Sequence, residues 1–117
     1  MSILNYNQIV RTTGGVEVKR TLINVNGVSG AIVAAVSGKR ICVLGICLIV
    51  SAAVAVTFKS GTTPVSGPLP LAANGGFVVN PPADPAMHWM ETAVGQSLAL
   101  SNSAECQCSG FITYYEA

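Results

Sequence analysis

Charged side chains are scarce. Lys, Arg, Asp and Glu make up 9% of the 117 residues, against about 25% in an average soluble domain. Six basic residues scattered along a chain do not build the patch that reads nucleic acid. Five acids, equally dispersed, supply no carboxylate pair for glycoside chemistry. Histidine and aspartate occur once each, as His88 and Asp84 in "NPPADPAMHWMET". Their four-residue offset would stack them on one helical turn, but the prolines make the segment a loop. No activated serine or oxyanion hole accompanies them, so no catalytic triad is read. The first 20 residues also lack a basic start followed by an apolar run, the mark of a secretory signal. Synthesis in a reducing cytosol is the expectation. No catalytic residue, cofactor or small-molecule substrate is assigned, and the expectation is a protein that is not an enzyme.

Apolar side chains are plentiful. Half of the residues are hydrophobic, which excludes disorder. With so little charge, much of the surface is expected to lie under lipid or other protein. The charge that exists is segregated. All six basic residues (Arg11, Lys19, Arg20, Lys39, Arg40 and Lys59) precede residue 60, and four acids (Asp84, Glu91, Glu105 and Glu116) follow residue 80. Either this is chance in a sparse set, or opposite ends meet across subunit contacts.

The stretch "KRICVLGICLIVSAAVAVTFKSG" decides the class. Ile41 to Val56 is 16 residues without a charge. As a helix it reaches about 24 Å, short of about 30 Å of hydrocarbon. Its Ile and Val residues are β-branched and favour strands. Gly45 and "SAA" at 51–53 mark a bulge and a tight connection. Val54, Val56 and Phe58 then alternate with Ala55, Thr57 and Lys59, the period of a strand. Two strands, about 40–50 and 54–59, joined as a hairpin, are predicted. "ICVLGICLIV" is apolar at odd and even positions alike, whereas an antiparallel strand facing water should show one polar face. Both faces need a cover: one is the domain's own core, and a neighbouring subunit is expected on the other.

Further strands are read at "VEVKRTLINVNG" (16–27), "IVAAV" (32–36), "GGFVVNPP", "QSLALSN" and "GFITYYEA". Seven or eight short strands separated by Gly- and Pro-rich turns give an all-β, antiparallel β-sandwich of jelly-roll-like pattern. Residues 16–117 form that domain. Residues 1–15 are an arm laid on a neighbour or the first strand.

Four cysteines invite a metal reading. Cys106-Gln107-Cys108 puts two sulfurs on one strand face, whereas Cys42 and Cys47 face opposite sides unless a bulge at Gly45 restores the phase. Structural zinc sites use closely spaced pairs twice over. Free cysteine is otherwise a small buried hydrophobe, and no metal ligand is assigned. Trp89, between Met87 and Met90 and beyond a proline loop, is either a core or interface anchor or an exposed platform for a glycan or receptor. "SGPLPLAANGGF" leads into a strand, so its glycines make a turn and not a phosphate cradle.

Taken together, "VAVTFKSGTTPVSGPLPLAANGGFVV", "WMETAVGQSLALSNSA" and "GFITYYEA" resemble a group of small virion proteins of tailed bacteriophages. In these a valine-rich strand ends in T-F-K-S-G, a G-P-x-P-L-A-A-N-G-G loop follows, an aromatic-x-E-T-A-x-G-x-x-L segment enters the next strand, and the last strand ends in an aromatic-acidic tail. The likeness covers roughly residues 30–117. It implies a trimeric β-sandwich on the outside of the head, a decoration or cement protein made in the host cytoplasm. Thr57 to Gly61, Pro68 to Gly76 and Glu91 to Gly95 would be turns and strand ends. The cysteines are not part of the pattern.

The expected partners are the chain itself, as a homotrimer, and the major capsid protein, with no nucleic acid and no membrane. Ile41, Val43, Leu44, Ile46 and Leu48 are expected at the subunit contact, with Trp89, Tyr114 and Tyr115 as anchors. Tyr6, Ile9 and Arg11 are expected to touch the capsid. Two other assignments stay open: a tail or fibre component that recognises the host surface, and a small holin-like membrane protein resting on residues 41–56.

Overall fold

The computed structural model describes residues 8–13 and 16–117. The regular structure of the described chain is almost entirely antiparallel strand. In order, β1 is Gln8–Thr13, β2 Val16–Val33, β3 Ile41–Val50, β4 Val54–Ser60, β5 Thr63–Pro64, β6 Leu69–Leu71, β7 Gly76–Val79, β8 Met90–Glu91 and β9 Leu98–Glu116. One 3-10 turn, Pro85–Met87, interrupts them. No helix among the described residues is long and apolar enough to cross a membrane.

Two long strands organise the fold. β2 and β9 pair with each other along nearly their whole length, and both change direction at one corner. There the register jumps from Gly27↔Cys106 to Ser29↔Ser101. Beyond the corner, residues 98–102 of β9 take β4 as their second neighbour. Before it, residues 108–116 take β3. One sheet thus folds over on itself, the geometry in which strands switch layers at bends. Asn102 holds the corner. Its buried amide donates to the Gly27 carbonyl at 2.9 Å and accepts from Cys108 Sγ at 3.3 Å.

The segments 16–27 and 32–36 therefore do not form separate strands. β2 runs continuously to Val33, and residues 34–36 lie outside it. "QSLALSN" and "GFITYYEA" likewise belong to one strand. Polar residues at the corner hid this continuity, because they read as a turn. The predicted hairpin of β3 and β4 is also corrected. β3 pairs with β7, β8 and β9, and β4 with β5, β6 and β9. Residues 51–53 carry the chain from one half of the folded sheet to the other. The apolar faces of the two strands (Ile46, Leu48 and Val50; Val54, Val56 and Phe58) then meet across one core.

β1 pairs with β2, with Ile9 opposite Lys19 and Arg11 opposite Val18. Tyr6 lies outside the described residues. The turns resembling the virion pattern knit strands together. Buried Thr92 accepts from Ile41 N through Oγ1 at 2.9 Å and donates its own N–H to Ile41 O at 3.0 Å. Ser60 Oγ accepts from Ala93 N at 2.9 Å. Two glycines are sterically required. A Cβ on Gly76 would lie 1.8 Å from Leu48 O, and one on Gly110, at φ +147, would lie 1.8 Å from Cys47 O.

Candidate functional site

β3 is central, and its two faces meet different fates. The bulge falls between Val43 and Gly45. It keeps Ile41, Val43, Ile46, Leu48 and Val50 all on the core side. It also puts Cys42 and Cys47 on the same outer side, the phase restoration anticipated for Gly45. Cys106 and Cys108 point into the core instead. The four thiols are therefore divided between two faces of the sheet, and all four are free.

The residues expected at a subunit contact lie inside one copy. Ile41, Val43, Ile46, Leu48 and Tyr114 belong to the main core, and Leu44 and Tyr115 to a second buried cluster with Val18 and Cys42. None is more than 7% exposed, so they have almost no surface left for a neighbour. The second cover expected from another subunit is supplied here by the chain itself. The loop between β7 and β8 folds over the outer face near Tyr115, whose hydroxyl donates to Pro85 O at 3.0 Å. Trp89 N donates to Val43 O at 2.8 Å, and Met90 and Glu91 pair with Val43 and Cys42. The segregated charges also meet within one chain: Lys19 Nζ lies 2.9 Å from Glu116 and Arg40 Nε 3.5 Å from Glu91.

Beyond Gly45 the outer face is bare. Cross-strand pairing aligns Leu22 with Phe111, Phe111 with Cys47 and Cys47 with Val78. Four strands thus contribute one apolar row, with Ile49 beside it. Leu22, Phe111, Ile49 and Val78 are 41–68% exposed. Arg20 closes one end, its guanidinium 5.2 Å from the Phe111 ring centre. A shallow groove of about 260 Å³ lies beside Phe111, Cys47 and Val78, bounded by Arg20, Thr113 and Pro81. The polar neighbours Asn24, Gln107 and Ser109 are tied together, Gln107 Nε2 donating to Asn24 Oδ1 at 2.8 Å and to Ser109 Oγ at 3.1 Å. Contiguous apolar surface rimmed by polar groups is the mark of an interaction site.

A second apolar feature opens at the free edge between the two halves. A cleft of about 320 Å³ is lined by Ile46, Phe58, Leu69, Phe77, Trp89 and Met90. Trp89 is 58% exposed, and its indole N–H is spent on Asn80 O at 3.0 Å. Ser66, also on the cleft wall, has its Oγ engaged by Phe58 N and Gly67 O. The cleft offers surface for an apolar group and few free polar groups to orient a small ligand.

The polar chemistry collects beneath the loop. Asp84 does not approach His88 as a partner. It caps the 3-10 turn, accepting from Ala86 N at 3.0 Å. His88 instead lies between Glu91, 2.7 Å from Nε2, and Tyr115, whose hydroxyl is 3.1 Å from Nδ1. Burial pushes the Cys42 thiol up, opposed by its hydrogen bond with Tyr115. Burial raises Tyr115 to about 12, with further contributions from Cys42, Glu91 and Asp84. Tyr114 is likewise raised to about 12 by burial and by Glu116, and its hydroxyl has no hydrogen-bond partner among the described residues. A protonated Cys42 that bonds to tyrosine lacks the activation of a nucleophile.

Neither the apolar row nor this polar cluster was read from the sequence. The row left a faint trace, since Phe111, Cys47 and Ile49 are apolar at positions where a solvated strand carries polar residues. The cluster left none, because its members come from distant segments. Compared with family models, curated proteins and solved structures, the chain matches none.

Proposed function

We propose that this protein is a virion structural component of a tailed bacteriophage, a non-enzymatic decoration or cement subunit that binds the outside of the head shell as a homotrimer. The observation that carries the reading is the bare apolar row across β2, β9, β3 and β7, on a chain whose turns resemble the virion pattern. A three-fold ring needs a heterologous contact, in which two different patches of each copy meet. The row and the Trp89-lined cleft are two such patches. In this arrangement Trp89 keeps its expected role as an anchor, and the row takes over the contact first assigned to β3's core side chains. A subunit that binds only the assembled lattice stabilises it by mass action. The β1 segment, with Ile9 and Arg11, is the assigned capsid contact.

The mass of the purified protein in dilute buffer is the first test. Three times the 12.0 kDa chain mass is expected, falling to one copy in Val78→Lys. A wild-type monomer overturns the trimer. Electron microscopy of virions then locates it. Density on the head exterior is expected, and virions without this chain overturn the reading. A tail or fibre component is the second reading, favoured by the exposed Trp89 ring, and the same images separate head from tail.

A further inference from the structure

The arrangement beneath the loop is a better metal site than any set of the four cysteines. Cys42 Sγ, a ring nitrogen of His88 and a carboxylate oxygen of Glu91 all lie within 4.8 Å of one another. They come from β3, the loop and β8, so the geometry exists only in the folded chain. Each has a side chain fixed by neighbours. His88 Nδ1 faces two oxygens, Pro85 O at 3.3 Å and the Tyr115 hydroxyl at 3.1 Å. The Tyr115 hydroxyl also reaches Pro85 O at 3.0 Å, so the loop carbonyl and this hydroxyl together fix the Nδ1 side of the ring. A ring nitrogen held by a carbonyl in this way is the usual outer support of a metal-bound histidine. On the other side of the ring, Nε2 faces Glu91 Oε1 at 2.7 Å. Arg40 engages the other carboxylate oxygen, Oε2, at 3.5 Å, which leaves Oε1 directed at the histidine.

We propose that Cys42, His88 and Glu91 form a binding site for a divalent ion of the zinc class, with the fourth position open to solvent. Sulfur and imidazole donors select zinc-like ions over magnesium or calcium. Three protein ligands of sulfur, nitrogen and oxygen type satisfy a tetrahedral ion with one place free. Thiolate and carboxylate together balance the ion's charge. The thiol proton leaves to solvent as the ion enters. The ion would clip the loop to the middle of the sheet and hold the covered half of β3 closed. This inference is independent of the virion reading.

The test uses the full chain, stripped with a chelator and kept reduced, and titrated with Co²⁺ and then Zn²⁺. One equivalent of Co²⁺ should give a thiolate-to-cobalt band in the near ultraviolet, which Zn²⁺ then removes. Cys42→Ser should abolish the band. His88→Ala and Glu91→Gln should each weaken binding by about tenfold or more. Cys47→Ser and the Cys106→Ser/Cys108→Ser pair should leave it intact. Absence of a saturable band overturns the proposal, as does a band that survives Cys42→Ser and disappears with Cys106 and Cys108. If Cys42→Ser does not fold, the loop variants decide: unchanged Co²⁺ affinity in both His88→Ala and Glu91→Gln overturns the site.

Discussion

The outer face of β3 is two surfaces joined at Gly45. On the N-terminal side, Cys42 and Leu44 are buried under the chain's own loop, against Val18 and Tyr115. On the C-terminal side, Ile49 and the Phe111–Cys47–Val78 row stand bare. The divide is physical. A Cβ on Gly45 would meet Pro81 Cγ at 3.0 Å, so the missing side chain is what lets the loop cross the strand there. The two halves have similar apolar composition, and composition therefore does not say what covers a strand. The covered half contributes to the stability of one copy. The bare half keeps apolar surface that a docked partner would cover.

The sharpest way to break this comparison is truncation on the covered side. Leu44→Ala should destabilise the chain by about 2–5 kcal/mol, the cost of emptying a packed site, measured by urea unfolding. High pH should act next. A tyrosine raised to about 12 in the folded state keeps a proton that the unfolded chain loses from about pH 10. Stability is therefore intact below pH 10 and falls as pH rises toward 12. The loss is about 1.4 kcal/mol per pH unit for each tyrosine. Tyr114→Phe and Tyr115→Phe should each flatten that alkaline limb in a pH series of melting temperatures.

At neutral pH, Tyr115→Phe should cost about 1–2 kcal/mol, because Pro85 O and His88 lose their buried partner. Amide exchange should quicken in residues 81–91 and stay unchanged at β7. Tyr114→Phe, which removes an unpartnered hydroxyl, should be nearly neutral. The smallest effect on a single copy belongs to the bare half. Ile49→Ser should shift unfolding by less than about 0.5 kcal/mol while weakening self-association in sedimentation velocity. A loss above 2 kcal/mol in that variant would show that Ile49 is part of the core, and the contrast between the halves would fail.

Much of the fold was legible because local patterns carried it. The alternation of Val54, Val56 and Phe58 survives in β4 as alternating burial, and the β3 and β4 boundaries fall where composition changes. The bulge at Gly45 was readable because a glycine in an apolar run has few other uses. The corner was not, since "NGVSG" and "SNSAE" look like loop ends to any local reading. Long-range pairing of β2 with β9, with Asn102 reaching Gly27 from far along the chain, makes them one bend. His88, Glu91 and Cys42 were illegible as a group for the same reason.

The sequence by itself determined an all-β chain with little charge and one strand too apolar for water on either side. These follow from side-chain shape and polarity, which act residue by residue. Tertiary structure alone decided that this strand's second face is shared between the chain's own loop and open solvent. It also decided that opposite charges meet within one copy and that a sulfur, an imidazole and a carboxylate converge. Such outcomes depend on which distant segments reach the same place, and that is set by the path of the folded sheet and not by any local preference.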